Sequence, residues 1–372
     1  MPDAASPAGL VALATAALRE SPALWRAARP RARADADHLG AALDWLLVAQ
    51  RAGGGGGFAH SFHLLRGWGP AYPETTGYIL QSLRRAWQRD RRNALLAAIE
   101  AAARWLASVQ QPDGSFLDLA GRPQVFDTAQ ILYGWNDLAA HLPDLVARDR
   151  HAGAARWIAA QQEPDGSFRT HAYNAIPHSY YARVGAALLA AGRVLDDARL
   201  GEAGRRNLRW VLAQQQPNGA FRLMSFDAAP PYLHTMIYVA EGLLDAHAET
   251  GDGECLAALL RFAAALRAAA GRDGDLRSQY DADLAVANGE LCLTGLAQWA
   301  GLCQRLAAMG HADYAGEAGR TLALLRRYQI LCGDPRLHGG LPGSAPLWGR
   351  YMRLAIPNWG VKFFVDALLG EP

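Results

Sequence analysis

Apolar residues recur along the chain at the three- and four-residue spacing of α-helices, in segments of two kinds. One kind is amphipathic, such as AIEAAARWLASVQ, and carries its charges on one face. The other kind is more apolar, such as DTAQILYGW. The two kinds alternate, and a PDG or PNG turn follows each of the clearest amphipathic segments. The pattern predicts an all-α fold made of six helix pairs.

The turn is part of a repeat. The stretch WLASVQQPDGSF at 105–116 returns as WIAAQQEPDGSF at 157–168 and as WVLAQQQPNGAF at 210–221. Three degenerate copies end at Phe58, Leu276 and Leu341, so the repeat has a period of roughly 50 to 65 residues. We expect the glycine to adopt a positive φ, the glutamine to satisfy backbone groups of a neighbouring helix, and the aromatic side chains to pack on the turn.

Six such pairs predict an (α/α)6 toroid, in which the apolar helices form an inner ring and the amphipathic helices an outer ring. We place the toroid at residues 37–372, with the ring closing at the C-terminus. Residues 1–36 are predicted to form a helical cap.

The tryptophan, glutamine and phenylalanine of the repeat resemble the QW repeats of squalene–hopene-type triterpene cyclases and of protein prenyltransferase β-subunits. The GGF and PDGSF turns are similar to turns in polysaccharide-active helical toroids, including pectate lyases and glucuronyl C5-epimerases. The resemblance covers the chain from about His38 and implies a toroid that hosts either terpenoid or glycan chemistry. The DxDD acid of the cyclases is absent, with DADL at 281–284 as the nearest string, and no DxC motif surrounds Cys292.

Composition narrows the function classes. The 372 residues carry a formal net charge of +2, which does not favour nucleic acid or an anionic membrane as the partner. There is no apolar run of membrane-spanning length and no basic signal-peptide region, so we expect a cytoplasmic protein. The four cysteines are widely spaced and are expected to be buried and reduced. We expect no cofactor and no bound metal. Lys362 is the sole lysine among arginines, which makes a functional role for it worth testing.

Each apolar segment opens with polar residues, and the starts of all six inner helices should meet at one mouth. A proline or apolar residue often precedes them, and these polar side chains can cap the helices, although a polar ring at this position favours a functional cavity. The candidate catalytic residues are Glu74, Asp127, His178, Tyr181, His234, Tyr238 and Glu290. The candidate substrate-binding residues, from the same helices and the loops, are Arg66, Trp68, Tyr78, Gln130, Arg183, Arg222, Arg350, Asn358, Trp359 and Lys362.

Aromatic side chains suit sugar rings, and arginines suit carboxylates, so the predicted partner is an anionic oligosaccharide or polysaccharide. We favour C5-epimerase or lyase chemistry on a uronate, in which a base removes the C5 proton, an acid delivers one and cations neutralise the carboxylate. Glycoside hydrolysis by two of the carboxylates is the next candidate. A cytoplasmic enzyme of this kind would modify a polysaccharide or a lipid-linked precursor. The alternatives are a terpenoid cyclase-like or prenyltransferase-like protein and a non-catalytic glycan-binding toroid.

Overall fold

The structure, a computed structural model, describes residues 33–271 and 273–370. Within these ranges the chain forms twelve α-helices. They are α1 (Asp35–Ala52), α2 (Pro73–Asp90), α3 (Asn93–Val109), α4 (Val125–His141), α5 (Arg148–Ala160), α6 (Ala182–Leu195), α7 (Ala198–Leu212), α8 (Leu233–Thr250), α9 (Gly253–Ala268), α10 (Leu293–Ala308), α11 (Asp313–Tyr328) and α12 (Asn358–Leu369). The predicted cap lies outside the described residues, except for the few residues that lead into α1.

The helices form two concentric rings. The even-numbered helices make the inner ring, where each contacts the next and α12 contacts α2. The odd-numbered helices make the outer ring: α3, α5, α7, α9 and α11 each pack on the inner helix that precedes them, and α1 packs on α12. The predicted (α/α)6 toroid, closed by its last helix, is therefore confirmed.

The two ends of the toroid differ in their connections. Each inner helix except α12 leads into its outer helix through a short connection, such as residues 91–92, 196–197 and 251–252. The long loops with the PDG turns lead from an outer helix to the next inner helix. The inner-helix N-termini and the long loops therefore share one end, which we call the upper rim. The C-terminal ends of the inner helices form the lower rim.

The repeated glutamine joins neighbouring repeats. The Nε2 atom of Gln162 donates to the carbonyl of Gly166 in its own turn, at 3.1 Å, and to that of Ala203 in the next outer helix, at 2.8 Å. Gly166 has a φ of 90°, and a Cβ there would lie 2.5 Å from the Arg206 carbonyl oxygen. Glutamines with the same pair of bonds are Gln50, Gln110, Gln215 and Gln329. The predicted packing role of the repeat is confirmed.

Seven short strands, which the helical pattern did not predict, lie in the upper-rim loops. They are β1 (Ser61–His63), β2 (Gly67–Trp68), β3 (Gln279–Tyr280), β4 (Val286–Asn288), β5 (Leu291–Cys292), β6 (Ser344–Ala345) and β7 (Ala355–Pro357). All pairs are antiparallel, in the orders β2-β1-β7, β3-β4 and β5-β6. Because β1 pairs with β7, the first and last loops are joined and the upper rim is closed.

Small residues let the inner helices approach closely. A Cβ on Gly77 of α2 would lie 2.5 Å from the Ile131 Cα of α4, and one on Gly134 would lie 2.1 Å from the Gly77 carbonyl oxygen. Cys255, Cys292 and Cys303 are buried, whereas Cys332 is partly exposed. Among the described helices, none combines the length and the apolar character that a membrane span requires.

Candidate active site

A buried carboxylate held by two phenols lies at the upper rim. Asp127, in the first turn of α4, is fully buried. The Tyr72 hydroxyl donates to its Oδ2 atom, and the Tyr173 hydroxyl donates to its Oδ1 atom at 2.5 Å. The two phenol oxygens are 3.0 Å apart. Both carboxylate oxygens accept hydrogen bonds from phenols and are shielded from solvent. Asp127 can therefore exchange a proton with a bound molecule only through Tyr72 or Tyr173.

Glu74, the second residue of α2, is only partly buried. A negative charge on Glu74 raises the pKa values of Tyr78 on the same helix, of Tyr238 on α8 and of Tyr351 in the last loop. Desolvation, and then the negative charge of Asp127, raise the pKa of Glu74 well above its usual range. Two carboxyl groups that share a dry site do not both ionise readily, so the protonated form of Glu74 is favoured.

Burial also raises the pKa of Asp127, to about 7, although the hydrogen bonds from Tyr173 and Tyr72 oppose this shift. Both bonds favour the ionised form of Asp127, whereas at Glu74 only a bond from Tyr72 opposes the rise of the pKa. The pair therefore combines a partly exposed carboxyl at Glu74, whose protonated form is favoured, with a buried carboxyl at Asp127 that ionises near pH 7 and faces two phenols. This difference in environment separates an acid from a base.

His178 and Tyr181 hold the backbone of Tyr173 in place. The Nε2 atom of His178 donates to the Tyr173 carbonyl oxygen at 2.8 Å, and the Tyr181 hydroxyl accepts from the Tyr173 amide at 3.4 Å. The His178 ring stacks on Tyr180 with centroids 4.5 Å apart, and burial lowers its pKa. Both residues, predicted as catalytic, are buried and position the loop that carries Tyr173.

His234 is fixed in one tautomer. Its Nδ1 atom lies 2.7 Å from Gln298 Oε1, an acceptor, so Nδ1 carries the proton and Nε2 keeps its lone pair. Burial lowers the pKa of His234 to about 3, so the ring stays neutral. The ring centroid lies 4.4 Å from that of Tyr238 and 5.6 Å from that of Tyr351.

Aromatic side chains make up the rest of the opening at the upper rim, which we call the mouth. The Trp359 indole donates to the Tyr351 hydroxyl at 2.8 Å, and Tyr232 lies against Tyr351 with centroids 5.1 Å apart. Tyr232 and Trp359 are partly exposed. Tyr78 and Tyr238 each lie 5.9 Å from Phe363, centroid to centroid, and form a buried layer beneath the mouth. Sequence reasoning missed Tyr72 and Tyr232, although each directly precedes an inner helix.

Three predicted substrate-binding residues lie below this layer. They follow the residues at the mouth by three to five positions, which places them about 5 to 8 Å deeper along a helix. Arg183 donates to Gln130 Oε1 and to Glu241 Oε2, both at 2.8 Å, and Lys362 pairs with Asp366 at 2.6 Å. Arg183 and Lys362 line a cavity of about 390 Å³ at the lower rim. Neither cation is available to a substrate carboxylate at the mouth.

The other predicted residues have structural or peripheral places. Trp68 packs on Trp45 and Phe62, at centroid distances of 5.2 and 5.1 Å. Asn358 donates to Thr75 and to the Ala59 carbonyl, which closes the ring.

Loop side chains are likewise peripheral. Glu290 accepts from the Arg350 backbone amide at 2.8 Å and from Asn288 at 2.9 Å. Arg222 is exposed and donates to the Ala213 carbonyl, and the Arg66 and Arg350 side chains are also exposed.

The polar residues at the inner-helix starts, which the sequence allowed to act as caps, do not cap their helices. None of these six helices has a side-chain cap bond. Glu74 and Asp127 lie inside the first turn, one or more residues beyond the capping position, and His178 precedes α6 by a separate turn at Ser179–Tyr181. Their side chains are therefore left for other contacts.

No protein-family model and no curated protein sequence matches the chain. Solved structures do match. An unsaturated glucuronyl hydrolase specific for heparin is 13% identical, with 90% of this chain and 96% of that chain covered and a TM-score of 0.70. A cellobiose 2-epimerase from Bacillus thermoamylovorans is 13% identical, covering 84% and 92%, with a TM-score of 0.67. A polysaccharide lyase is 12% identical, covering 90% and 96%, with a TM-score of 0.61. At such identities the likeness concerns the fold, and the chain has the (α/α)6 toroid fold of these carbohydrate-processing enzymes.

Proposed function

We propose that the protein is a saccharide-processing enzyme whose active site is the mouth at the upper rim. Its structural neighbours include a hydrolase, an epimerase and a lyase that act on carbohydrates. The observation that carries the proposal is the partly exposed Glu74, whose raised pKa favours its protonated form, beside the Tyr72–Asp127–Tyr173 group. Such a site holds an acid and a base within one aromatic mouth, which proton transfer to and from a sugar requires.

The two groups have complementary roles in the reaction. Glu74 delivers a proton to the substrate. Tyr173 takes a proton from the substrate while its own proton passes to Asp127, so the negative charge on Asp127 is neutralised as the substrate loses its proton. Because Asp127 reaches the mouth only through phenols, it cannot attack an anomeric carbon as a nucleophile.

This geometry favours removal of a C5 proton from a uronate, followed by its return on the opposite face in an epimerase or by loss of the 4-linked sugar in a lyase. The second candidate is inverting hydrolysis, in which the same relay activates a water molecule. The relay of Tyr173 to an ionised Asp127 supports either reaction and disfavours a covalent glycosyl intermediate.

The test uses acidic polysaccharides in deuterated water. Deuterium at C5 indicates epimerisation, absorbance of a new double bond indicates elimination, and new reducing ends alone indicate hydrolysis. The Tyr173→Phe variant should lose turnover yet keep substrate binding, because the phenyl ring fills the same space without the hydroxyl. Undiminished turnover by Tyr173→Phe would refute the relay.

The likeness to terpene cyclase QW repeats concerns architecture in this proposal. The repeated glutamines, such as Gln162, donate to backbone carbonyls. They make no contact with the mouth through these bonds. A buried aromatic layer of Tyr78, Tyr238 and Phe363 would suit an isoprenoid, but the carboxyl pair above it does not require one. Incubation with polyprenyl diphosphates tests the terpenoid alternative. A purely glycan-binding toroid would bind saccharide and show no turnover under any of the assays above.

We also propose that the substrate is an acidic polysaccharide or its precursor in the cytoplasm, as the sequence led us to expect. Fractionation of cells that produce the protein, with its detection in each compartment, tests this location.

A further inference from the structure

Three segments of backbone lie side by side at the closure of the upper rim. The Leu64 amide donates to the Leu354 carbonyl at 2.9 Å, and the Leu354 amide donates to the Leu347 carbonyl at 2.9 Å. The residues next to these leucines are therefore neighbours, although they are far apart in the sequence. They include Arg66, Trp348 and Arg353.

Arginines in this part of the rim differ from those in three of the other loops. In the second, third and fifth loops, arginine pairs with an aspartate of its own loop, as in Arg122–Asp118 at 2.8 Å and Arg277–Asp273 at 2.6 Å. Within the described part of the chain, the side chains of Arg66, Arg350 and Arg353 form no ion pair. All three are exposed.

An exposed indole accompanies these cations. Trp348 is 65% exposed, the largest exposure of any large hydrophobic side chain among the described residues. No packing role accounts for it, in contrast to Trp45 or Trp135, which are buried. An exposed aromatic face beside guanidinium groups can stack on a sugar ring while the guanidiniums bind its acidic substituent.

The cationic group is continuous with the mouth. The Arg350 amide donates to Glu290 at 2.8 Å, and the next residue, Tyr351, has its ring 5.6 Å from His234. Trp348 is three residues from Tyr351, so their Cα atoms are at most about 11 Å apart. A sugar chain that enters the mouth past Tyr351 thus passes Trp348 and Arg350.

We propose that Arg66, Trp348, Arg350 and Arg353 form a binding site for the acidic residues of an extended glycan, next to the catalytic mouth. The inference rests on the proposed function for the position of the reacting sugar. It assigns recognition of the carboxylates to the rim, since Arg183 and Lys362 are paired with Glu241 and Asp366 below the aromatic layer. Because the site lies outside the mouth, it selects polymers over single sugars.

The experiment measures equilibrium binding of polygalacturonate and of the same polymer after chemical reduction of its carboxyl groups. The test variant combines Arg66→Gln, Arg350→Gln and Arg353→Gln. The control variant combines Arg104→Gln, Arg156→Gln and Arg205→Gln, which changes three exposed arginines of the outer helices.

We expect the wild-type protein to prefer the acidic polymer and the test variant to bind it at least tenfold more weakly at low salt. The control variant should bind as the wild type does, and the loss in the test variant should shrink as salt screens the charges. Trp348→Ala should weaken binding of both polymers, because stacking does not depend on the carboxylate.

Equal affinity of the test and wild-type proteins for polygalacturonate would overturn the inference, as would an equal loss in the control variant. If the wild type bound duplex DNA or anionic lipid vesicles as tightly as polygalacturonate, the inference would also be overturned, because the site would then recognise negative charge and not the sugar. If these binding differences were observed but the protein showed no turnover, the proposed function would be refuted and the proposed binding site would be retained.

Discussion

Replacement of Asp127 by asparagine tests the electrostatic reasoning at the mouth directly. Burial raises the pKa of this carboxyl from 3.8 to about 7 in the folded protein. Between these two values the folded state holds a proton that the unfolded state has released. The free energy of unfolding therefore falls as the pH rises through this window, and the contribution is largest at low pH.

The size of the effect follows from the two pKa values. Between pH 5 and pH 8, ionisation of Asp127 alone should lower the free energy of unfolding of the wild-type protein by about 2.5 kcal/mol. The asparagine side chain cannot ionise, so the Asp127→Asn variant lacks this loss. Relative to the protonated form of Asp127, the hydrogen bonds of the asparagine to Tyr72 and Tyr173 change by an amount that does not depend on pH, so this change cancels in the difference. The stronger bonds of the ionised form are already included in the pKa of about 7.

The assay is denaturant unfolding of the wild-type and variant proteins at pH 5 and pH 8. Relative to the wild type, the variant should gain about 2.5 kcal/mol between the two pH values. Asp165→Asn is the matched control, because Asp165 is hydrogen-bonded to Ser167, which lowers its pKa and keeps it ionised throughout this range. At the equivalent position of the next repeat, Asn218 makes the same bond to a backbone amide. Parallel pH profiles for the wild type and Asp127→Asn would refute the assignment of a raised pKa to this group.

Three further outcomes are expected. Glu74→Gln should lower turnover by about 10² to 10⁴ with saccharide binding retained, because the amide cannot deliver a proton; a rate within a few-fold of wild type would exclude Glu74 as the acid. Gln162→Ala should lower the free energy of unfolding by about 1 to 3 kcal/mol, since two buried carbonyls lose a donor. Gln161→Ala, which removes a bond within a single helix, should cost less than half as much in the same denaturant titration. Gly77→Ala should lower the free energy of unfolding by about 1 to 3 kcal/mol, because the added methyl group would clash with the backbone of α4. Gly301→Ala, on an inner helix with open space around its Cα, should leave the thermal midpoint unchanged or raised, and the reverse order would contradict the packing argument.

The repeat made the architecture predictable from the sequence. A glutamine that recurs with a turn of fixed shape reports a contact made again in each repeat, and Gln110, Gln162 and Gln215 make that contact in the structure. Local rules sufficed here, because the bond depends only on the turn and on the adjacent outer helix. The glycines of the turns were predictable for the same reason, since only the local backbone conformation matters.

The depth of side chains within the toroid was predicted only in part. Arg183 and Lys362 were expected deeper on their helices than the polar residues at the mouth, on the side that faces the cavity. In the structure they lie beneath Tyr238 and Phe363, pair with Glu241 and Asp366, and line the lower cavity. Depth depends on where each inner helix starts. The loop before α6 contains an additional turn at Ser179–Tyr181, and α10 begins only after strand β5. Such offsets arise from contacts between loops far apart in the sequence, which no single repeat records.

The same limit applies to the partners of buried charges. Glu241 and Asp366 escaped notice because an acidic residue in an apolar helix is informative only once its partner is known. In the structure Glu241 pairs with Arg183, and Asp366 with Lys362. Tyr72 was overlooked because it precedes the helix by one residue, whereas its hydroxyl reaches Asp127 on the next inner helix.

Closure of the ring by its first and last helices has a consequence for how the chain folds during synthesis. Helix α1 packs on α12, His38 bonds to Gln329, and Asn358 donates to Thr75 and Ala59. The first helices to leave the ribosome therefore lack their partners until about three hundred further residues have been synthesised. Their apolar sides are exposed during that time. Nascent chains stalled before Asn358 should consequently be captured by chaperones and digested by proteases, while full-length chains resist both.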